Sequence, residues 1–477
     1  MSDASVIDAD LVVIGFGKGG KTLAATLGRQ GWRVVMVERS PMMYGGTCIN
    51  IGCVPTKSMV YRSEHLDPRS PHTARYRDAV DATADLTSDL RAVNLSMLTG
   101  IDTVTVLTGQ ARFRDATTVD VHTTDGADVT VAARYIVVNT GAEPVIPAIP
   151  GLKDSPNTVT STELLSTAEL PGRLVVLGGG YVGLEFAAML RSYGSEVTVL
   201  ERHARILGNE DDDIADNAAA ILRAAGVDVV CPAEVTAVRD ESDGSTSVTY
   251  RADGEHVVAA DTVLVALGRA PVTADLGLEQ AGIAVAADGS ILVDDALRSS
   301  QPHVFAIGDV NGGPQFTYIS LDDYRIVLSQ LTGDSTRTTA SRSAVPYALF
   351  TTPPLARVGL TERGAREAGL PVKVAAMPVA KMATMPRARI VDETAGMMKV
   401  VVHADTDEIL GAALLSYDSH EVINLVALAM RHHITASQLR DEIYTHPSMT
   451  EGFNQLLGSI TSPARPADHD SSAAAPR

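Results

Sequence analysis

Cysteine is nearly absent from this chain, with only Cys48, Cys53 and Cys231 among 477 residues. That excludes a disulfide-stapled secreted scaffold and leads us to expect a reducing, cytoplasmic setting. Positive charge is also in short supply. Against 58 Asp and Glu stand 39 Lys and Arg, for a formal net charge of −19, which disfavours nucleic acid and anionic membrane surfaces as partners. No apolar run reaches the roughly 18 residues that a spanning helix needs. The first residues, MSDASVID, lack the basic start of a signal peptide. What is present is ordinary globular material, 45% hydrophobic and 20% charged, enough for about three domains at roughly 150 residues each.

The strongest internal signal is a repeat. Residues 15–39, GFGKGGKTLAATLGRQGWRVVMVER, align without a gap on residues 178–202, GGGYVGLEFAAMLRSYGSEVTVLER. Each copy follows an apolar run suited to a buried parallel strand, then turns on glycines, continues at helix length and ends a second strand in glutamate. Gly15, Gly17 and Gly20, and Gly178, Gly180 and Gly183, fit the G-x-G-x-x-G spacing. The first glycine permits the tight turn, the second lets a pyrophosphate approach the backbone, and the third lets helix pack on strand. Phosphate then meets the unpaired N–H groups and dipole of a helix start. Glu38 and Glu201 stand where a ribose diol needs an acceptor. Two such units in register predict two dinucleotide sites on two Rossmann-like domains, an α/β fold.

Between and beyond the repeats, residues 101–138 alternate in short β-like runs, and residues 303–309 return to a strand followed by a Gly-Asp turn. From about Val345 the pattern changes, with strands expected near Lys399–His403 and Leu410–Leu415 and a helix from about Glu421 to Arg431. The boundaries we expect are 1–150 for the first domain, 151–275 for the second, 276–344 for the return to the first, 345–460 for a third, α+β domain, and 461–477 for a disordered tail rich in Ala, Pro, Ser and Asp.

Two cysteines fall in GGTCINIGCVPTK, residues 45–57. Five helical steps advance about 7.5 Å, more than the Cα separation a disulfide tolerates, so Cys48 is expected in a bent turn ahead of a regular helix, a bend that Gly52 and the glycine pair permit. Pro55 fits the first turn of that helix, whose N-terminus favours thiolate. Thiol chemistry and a soft-metal site both suit such a pair. Cys231 is expected in the core, the run Glu210–Asp213 on a solvated face, and the methionines at 42, 43, 382 and 385 in packing rather than ligation. No metal-ligand set is assigned.

At this motif the resemblance becomes specific. GGTCINIGCVPTK resembles the redox-active disulfide motif of the class I flavoprotein disulfide reductases, the pyridine nucleotide-disulfide oxidoreductases, and the likeness runs to about residue 460. It implies FAD at the first fingerprint, NADH at the second with NADPH as the other donor, and a homodimer joined through the third domain. It further implies FAD contacts from Glu38, Arg39, Gly46, Thr47, Lys57, Ala111, Thr140, Gly141, Asp309 and Thr317. For the nicotinamide nucleotide it implies Tyr181, Glu201, Arg202, Val235, Gly268 and Arg269. Cys53 takes the place of the thiolate facing the flavin, and Cys48 that of the thiol attacking substrate. Lys57 and Glu185 match an ion pair near the flavin, and Tyr181 a gate over the nicotinamide pocket. THPSMTE, residues 445–451, is similar to the family's His-Pro-Thr-x-Ser-Glu, so His446 inherits the base and Glu451 its orienting carboxylate, with Ser448 and Thr450 as departures.

IGFGKGGKTLA, MYGGTCINIGC, QFTYISLDDYRIV (315–327), MPRARIV and HPSMTEGFN resemble the bacterial reactive-chlorine-resistance branch. That branch implies a small oxidant such as hypothiocyanous acid, with copper(II) as a second acceptor. Dihydrolipoamide dehydrogenase is the nearest rival. Mercuric reductase expects a cysteine pair near the C-terminus, and none follows Cys231. A flavin-bearing copper-binding or sensor protein is the non-enzymatic alternative.

Overall fold

The apolar run ahead of the first fingerprint forms a strand over Ser5–Ile14, with Leu11, Val12 and Val13 fully buried. A strand without polar alternation needs cover on both faces, and this one lies inside a sheet. Val34–Glu38 pairs with it in parallel on one side, followed by Val104–Phe113. Asp128–Val138 pairs in parallel on the other side, and Val304–Ala306 joins the end of that strand, also in parallel. The chain therefore comes back to its first sheet after the second fingerprint has been built. Thr118–Thr123 bridges Val104–Phe113 and Asp128–Val138 as an antiparallel excursion. The computed structural model describes residues 5–67 and 69–460, so the tail expected over 461–477 lies outside the described residues.

The first strand is followed by α1 (Lys18–Arg29). The cysteine segment forms α2 (Gly46–Asn50) and α3 (Cys53–Glu64), and a 28-residue helix follows, α4 (His72–Thr99). A short α5 (Ser161–Leu164) is started by a Thr160–Glu163 capping box. The second fingerprint strand, Arg173–Leu177, lies between Glu196–Leu200 and Thr262–Val265 in a second parallel sheet, and α6 (Tyr181–Tyr193) follows its glycine turn. Beyond come α7 (Asp212–Ala224) and α8 (Thr317–Thr332). Ala142–Pro144 and Arg269–Pro271, which pass between the two sheets, run antiparallel to each other. Tyr193 at the end of α6 donates its hydroxyl to Met59 O at 3.0 Å and meets Tyr76 edge-on. Those contacts hold α6 against α3 and α4.

Contacts divide the chain into two units. One contains residues through Leu207 together with Leu222–Arg342, and the other contains Gly208–Ile221 with the residues from Ser343 on. Gly208–Ile221 thus groups with the C-terminal unit, although the sequence counted it with the second fingerprint. That unit is built on an antiparallel sheet ordered Tyr347–Leu349, Leu355–Gly359, Ile409–Leu415, Met397–His403 and Val372–Pro378. The helix Ser419–Arg431 packs on it. Met382 and Met385 lie in its core, as expected, whereas Met42 is exposed.

The run Glu210–Asp213 corrects the sequence reading at its first two residues, while Asp212 and Asp213 are exposed as expected. Glu210 and Asp211 are buried, as is Lys399. The Lys399 ammonium lies 3.1 Å from Asp211, 3.0 Å from Asp213 and 2.9 Å from Glu362. A local run of acids reads as solvated only while its distant cation is unknown. Among the described residues no helix is long and apolar enough to cross a membrane.

Candidate active site

Two glycines allow the cysteine segment to start where it does. Gly45 and Gly46 adopt left-handed backbone, with φ of 101° and 73°. A Cβ on Gly46 would stand 2.8 Å from Gly17 Cα, so only glycine lets α2 abut the first fingerprint turn. Gly52 marks the bend, as expected, but Cys48 does not lie in it. Cys48 sits inside α2, the break comes at Ile51–Gly52, and Cys53 is the first residue of α3. The expected redox-active pair is in its dithiol form in this structure, Cys48 half-buried and Cys53 exposed. Cys231, expected in the core, is half-buried.

The two thiols are unequal. A hydrogen bond from Cys48 is the main reason that the Cys53 pKa falls to about 6; burial opposes it, and the Thr317 hydroxyl and Lys57 assist. The Cys53 Sγ is 3.6 Å from Thr317 Oγ1 at the start of α8. Donating its hydrogen bond to Cys53, together with burial, pushes the Cys48 thiol far up. The first negative charge of the pair therefore belongs to Cys53. One turn along α3, Lys57 Nζ bonds both Glu185 oxygens at 2.7 and 2.5 Å. Glu185 is buried on α6, which the Tyr193 contacts hold against α3. Tyr181, half-buried, opens α6 one turn before Glu185.

The two glycine turns share one bonding pattern. Phe16 N–H donates to Glu38 Oε2 at 2.9 Å and Ser40 N–H to Oε1 at 3.2 Å. In the second copy Gly179 N–H donates to Glu201 Oε2 at 2.7 Å and His203 N–H to Oε1 at 2.8 Å. Each glutamate ties its strand end to the turn and keeps lone pairs for a ribose diol. Burial raises the Glu38 pKa in spite of these bonds. Most of the glycines are required by the protein itself. A Cβ would lie 2.4 Å from Asn139 O at Gly15, 2.4 Å from Asn139 Oδ1 at Gly17, 2.8 Å from Val13 at Gly20, 2.6 Å from Ala266 O at Gly178 and 2.3 Å from Gly178 O at Gly183. Gly180 is different, because a Cβ there meets nothing within 4 Å. The protein's own packing does not demand that glycine, and the space it leaves at the start of α6 fits a pyrophosphate.

The other expected cofactor residues fall on the same unit. Thr140 donates to Val272 O at 2.6 Å, beside Gly141. Arg269, which follows Gly268, donates to Ala142 O. Asp309 lies in the short helical turn Gly308–Asn311, its pKa raised by burial and partly restored by Arg269. Thr47 is half-buried in α2, Ala111 is buried on its strand, and Val235 is half-buried, while Arg39 and Arg202 are exposed just past their glutamates.

His446 and Glu451 belong to the C-terminal unit. Glu451 Oε2 holds His446 Nδ1 at 2.9 Å, and Oε1 accepts Ser448 N–H at 2.8 Å. Burial works against the Glu451 charge, but these two bonds leave its pKa lowered. Ser448 and Thr450, the two departures from the family motif, bond each other at 2.9 Å and so close the loop. The imidazole itself is exposed.

Four residues went unnoticed in the sequence. Asn139 accepts Gly20 N–H at 2.9 Å and donates to Ile307 O at 2.7 Å, locking the first turn. Asp323, fully buried, accepts Gly308 N–H at 2.6 Å and so fixes the turn that carries Asp309. His203 Nδ1 lies 2.6 Å from Glu201 Oε1. Lys21 is buried on α1 and donates to Asn94. Lys21 and Asp323 lie inside segments quoted above and His203 lies two residues from its partner, but the role of each shows only in the hydrogen bonds of the folded chain.

Residues 9–323 match the family described as pyridine nucleotide-disulphide oxidoreductase, and residues 345–457 match its dimerisation domain. The chain is 46% identical over 450 residues to a probable pyridine nucleotide-disulfide oxidoreductase, RclA, of Escherichia coli, covering 94% of this chain and 98% of that one. It is 34% identical over 469 residues to a mercuric reductase of Staphylococcus aureus, covering 95% and 82%. The solved copper(II) complex of the HOCl-induced flavoprotein disulfide reductase RclA from Escherichia coli superposes with a TM-score of 0.89 at 45% identity, covering 95% of this chain and all of that one.

Proposed function

The chain belongs to the pyridine nucleotide-disulphide oxidoreductase family, and from that premise we propose that its Cys48–Cys53 pair reduces a small electrophilic oxidant, hypothiocyanous acid first and copper(II) second. The unequal thiols carry this reading: Cys53 favours its charged form at neutral pH, while Cys48 stays protonated until a base acts on it. When bound, FAD would hand the cysteine pair the electrons that NAD(P)H delivers. The fit to FAD rests on the Glu38-tied turn of the first fingerprint and the Lys57–Glu185 pair, and the fit to the nicotinamide nucleotide on the Glu201-tied turn and the open space at Gly180.

His446, oriented by Glu451, would take the Cys48 proton. The Cys48 thiolate then attacks the sulfur of hypothiocyanous acid, and the oxygen leaves as water with the proton that His446 returns. Cys53 attacks Cys48 Sγ in turn, expels thiocyanate and closes the disulfide. The match to a dimerisation domain supports a homodimer in which His446 serves the partner's cysteines. Glu201 accepts a ribose diol and repels a 2′-phosphate, which supports NADH as the preferred donor. Reactive-chlorine chemistry is favoured by MYGGTCINIGC, by QFTYISLDDYRIV and by the likeness to an HOCl-induced relative.

The test is kcat/KM for hypothiocyanous acid, lipoamide, oxidised glutathione and copper(II) in one buffer, with NADH and with NADPH. We expect hypothiocyanous acid with NADH to lead. Comparable turnover of lipoamide would move the assignment to dihydrolipoamide dehydrogenase, and an NADPH advantage of about tenfold would refute the donor preference.

A further inference from the structure

Arg342, the last residue before the C-terminal unit, bonds two neighbouring carboxylates of α8. Its Nε donates to Asp322 Oδ2 at 2.7 Å, and its Nη2 donates to Asp323 Oδ1. Successive helix residues point about 100° apart, so one planar guanidinium that grips both fixes the roll of α8 about its own axis. The Arg342 side chain is only 15% exposed. The segment that carries it is tied down as well. Thr339 donates its N–H to Asp295 O at 2.9 Å and its hydroxyl to Asp295 Oδ1 at 2.7 Å, and Arg337 O accepts Gln330 Nε2 at 3.1 Å.

The roll matters because one side of α8 reaches three separate places on its own unit. Thr317, Ser320 and Asp323 recur every third residue and share that side. Thr317 Oγ1 lies 3.6 Å from Cys53 Sγ, and Ser320 Oγ accepts Gly19 N–H beside the first fingerprint turn at 3.1 Å. Asp323 Oδ2 accepts Gly308 N–H at 2.6 Å and Asn311 Nδ2 at 3.4 Å. One carboxylate thus staples both ends of the turn Gly308–Asn311, which carries Asp309. Asp323 does so from a fully buried position. Burial pushes its pKa up, and the attraction of Arg342 is the largest force the other way. Without the guanidinium a buried carboxyl takes a proton, and a neutral carboxyl accepts an N–H more weakly than a charged one. Arg337 is no substitute, since it bonds Asp322.

We propose that Arg342 is a positioning residue for the flavin: by pinning Asp322 and Asp323 it fixes the Gly308–Asn311 turn, so that Asp309 can grip bound FAD. This deepens the proposed function and rests on it only in taking Asp309 as a flavin contact. The oxidant does not enter.

The test uses the full-length FAD-loaded protein and reads how fast flavin leaves on dilution, by the rise of free-flavin fluorescence. Arg342→Met should speed release about tenfold or more, the effect of losing one charge-assisted hydrogen bond. Arg342→Lys should restore most of the difference. The deciding arm is Asp309→Ala, which should speed release by itself. Adding Arg342→Met to it should change the rate less than about twofold, because Arg342 acts through Asp309. Effects that multiply would overturn the proposal, since Arg342 would then serve the fold at large. If Arg342→Met yields no soluble protein, Asp322→Asn weakens one leg of the bridge and leaves Asp323 in place. It should speed release in the parent but not in Asp309→Ala; no increase in the parent, or equal increases in both, would overturn the proposal. Parent-like release from Asp309→Ala would remove Asp309 as a flavin contact and the proposal with it. Parent-like release from Arg342→Met beside fast release from Asp309→Ala would remove the proposal alone.

Discussion

Replacing Cys48 by serine or by alanine separates the causes of the Cys53 charge. The Cys53 pKa lies near 6, against a reference thiol value of 9.0, and the hydrogen bond from Cys48 is the largest contributor. Serine keeps a donor at that place and alanine removes it. A hydrogen bond to a charged acceptor is worth about 1.5–3 kcal/mol, and one pH unit corresponds to about 1.4 kcal/mol. Alanine should therefore raise the midpoint by about 1–2 pH units, while serine leaves it near 6. In both variants Cys53 has no partner for a disulfide, so the oxidised, FAD-loaded protein needs no reductant to show a thiolate-to-flavin charge-transfer band. The sign is fixed by ionisation: the band is present above the midpoint and lost as pH falls through it. Absorbance followed from pH 5 to 9 gives both midpoints. Thr317→Val should move the midpoint up by less than the alanine variant, because the Thr317 hydroxyl lowers the Cys53 pKa less than Cys48 does. Equal midpoints for serine and alanine would refute the hydrogen-bond account, and a band that survives Cys53→Ser would refute the assignment of the thiolate altogether.

Mixing inactive Cys48→Ser and His446→Ala subunits should restore activity through heterodimers carrying one intact composite site; no recovery after verified subunit exchange would refute the shared site. Gly180→Ala, whose Cβ meets nothing within 4 Å, should retain fold and flavin but raise KM for the nucleotide about tenfold or more, whereas Gly183→Ala should lose stability because its Cβ would lie 2.3 Å from Gly178 O. Equal stability for the two, read by thermal unfolding, would show that the cradle argument is wrong. Lys399→Met leaves Asp211, Asp213 and Glu362 facing one another and should cost the C-terminal unit about 3 kcal/mol or more by urea unfolding; a loss under about 1 kcal/mol would count against a buried network.

What the sequence determined by itself is what local geometry dictates. A strand, a glycine turn, a helix and a closing glutamate make one unit wherever they occur, because the turn must fit the protein's own backbone. Both fingerprints were legible for that reason, down to the acids that tie them. The cysteine segment was legible because glycine pairs, thiols and Pro55 fall within a few residues of one another. Even there the short helix around Cys48 escaped, since α2 abuts the turn at Gly17. The 28-residue α4 left little trace, because its buried face carries Thr83, Thr87 and Asn94 among the apolar residues, and polar side chains blur the helical period. The tertiary structure alone decided what depends on partners far apart in the chain. Asp211 is buried rather than solvated because Lys399, almost two hundred residues away along the chain, meets it, and Glu210 because Tyr347 and Arg357 do. Asn139 and Asp323 are anchors only because strands and helices bring glycine turns to them. Lys21, one charged residue on an ordinary helix in the sequence, becomes a buried cation held by Asn94 because α4 packs against α1.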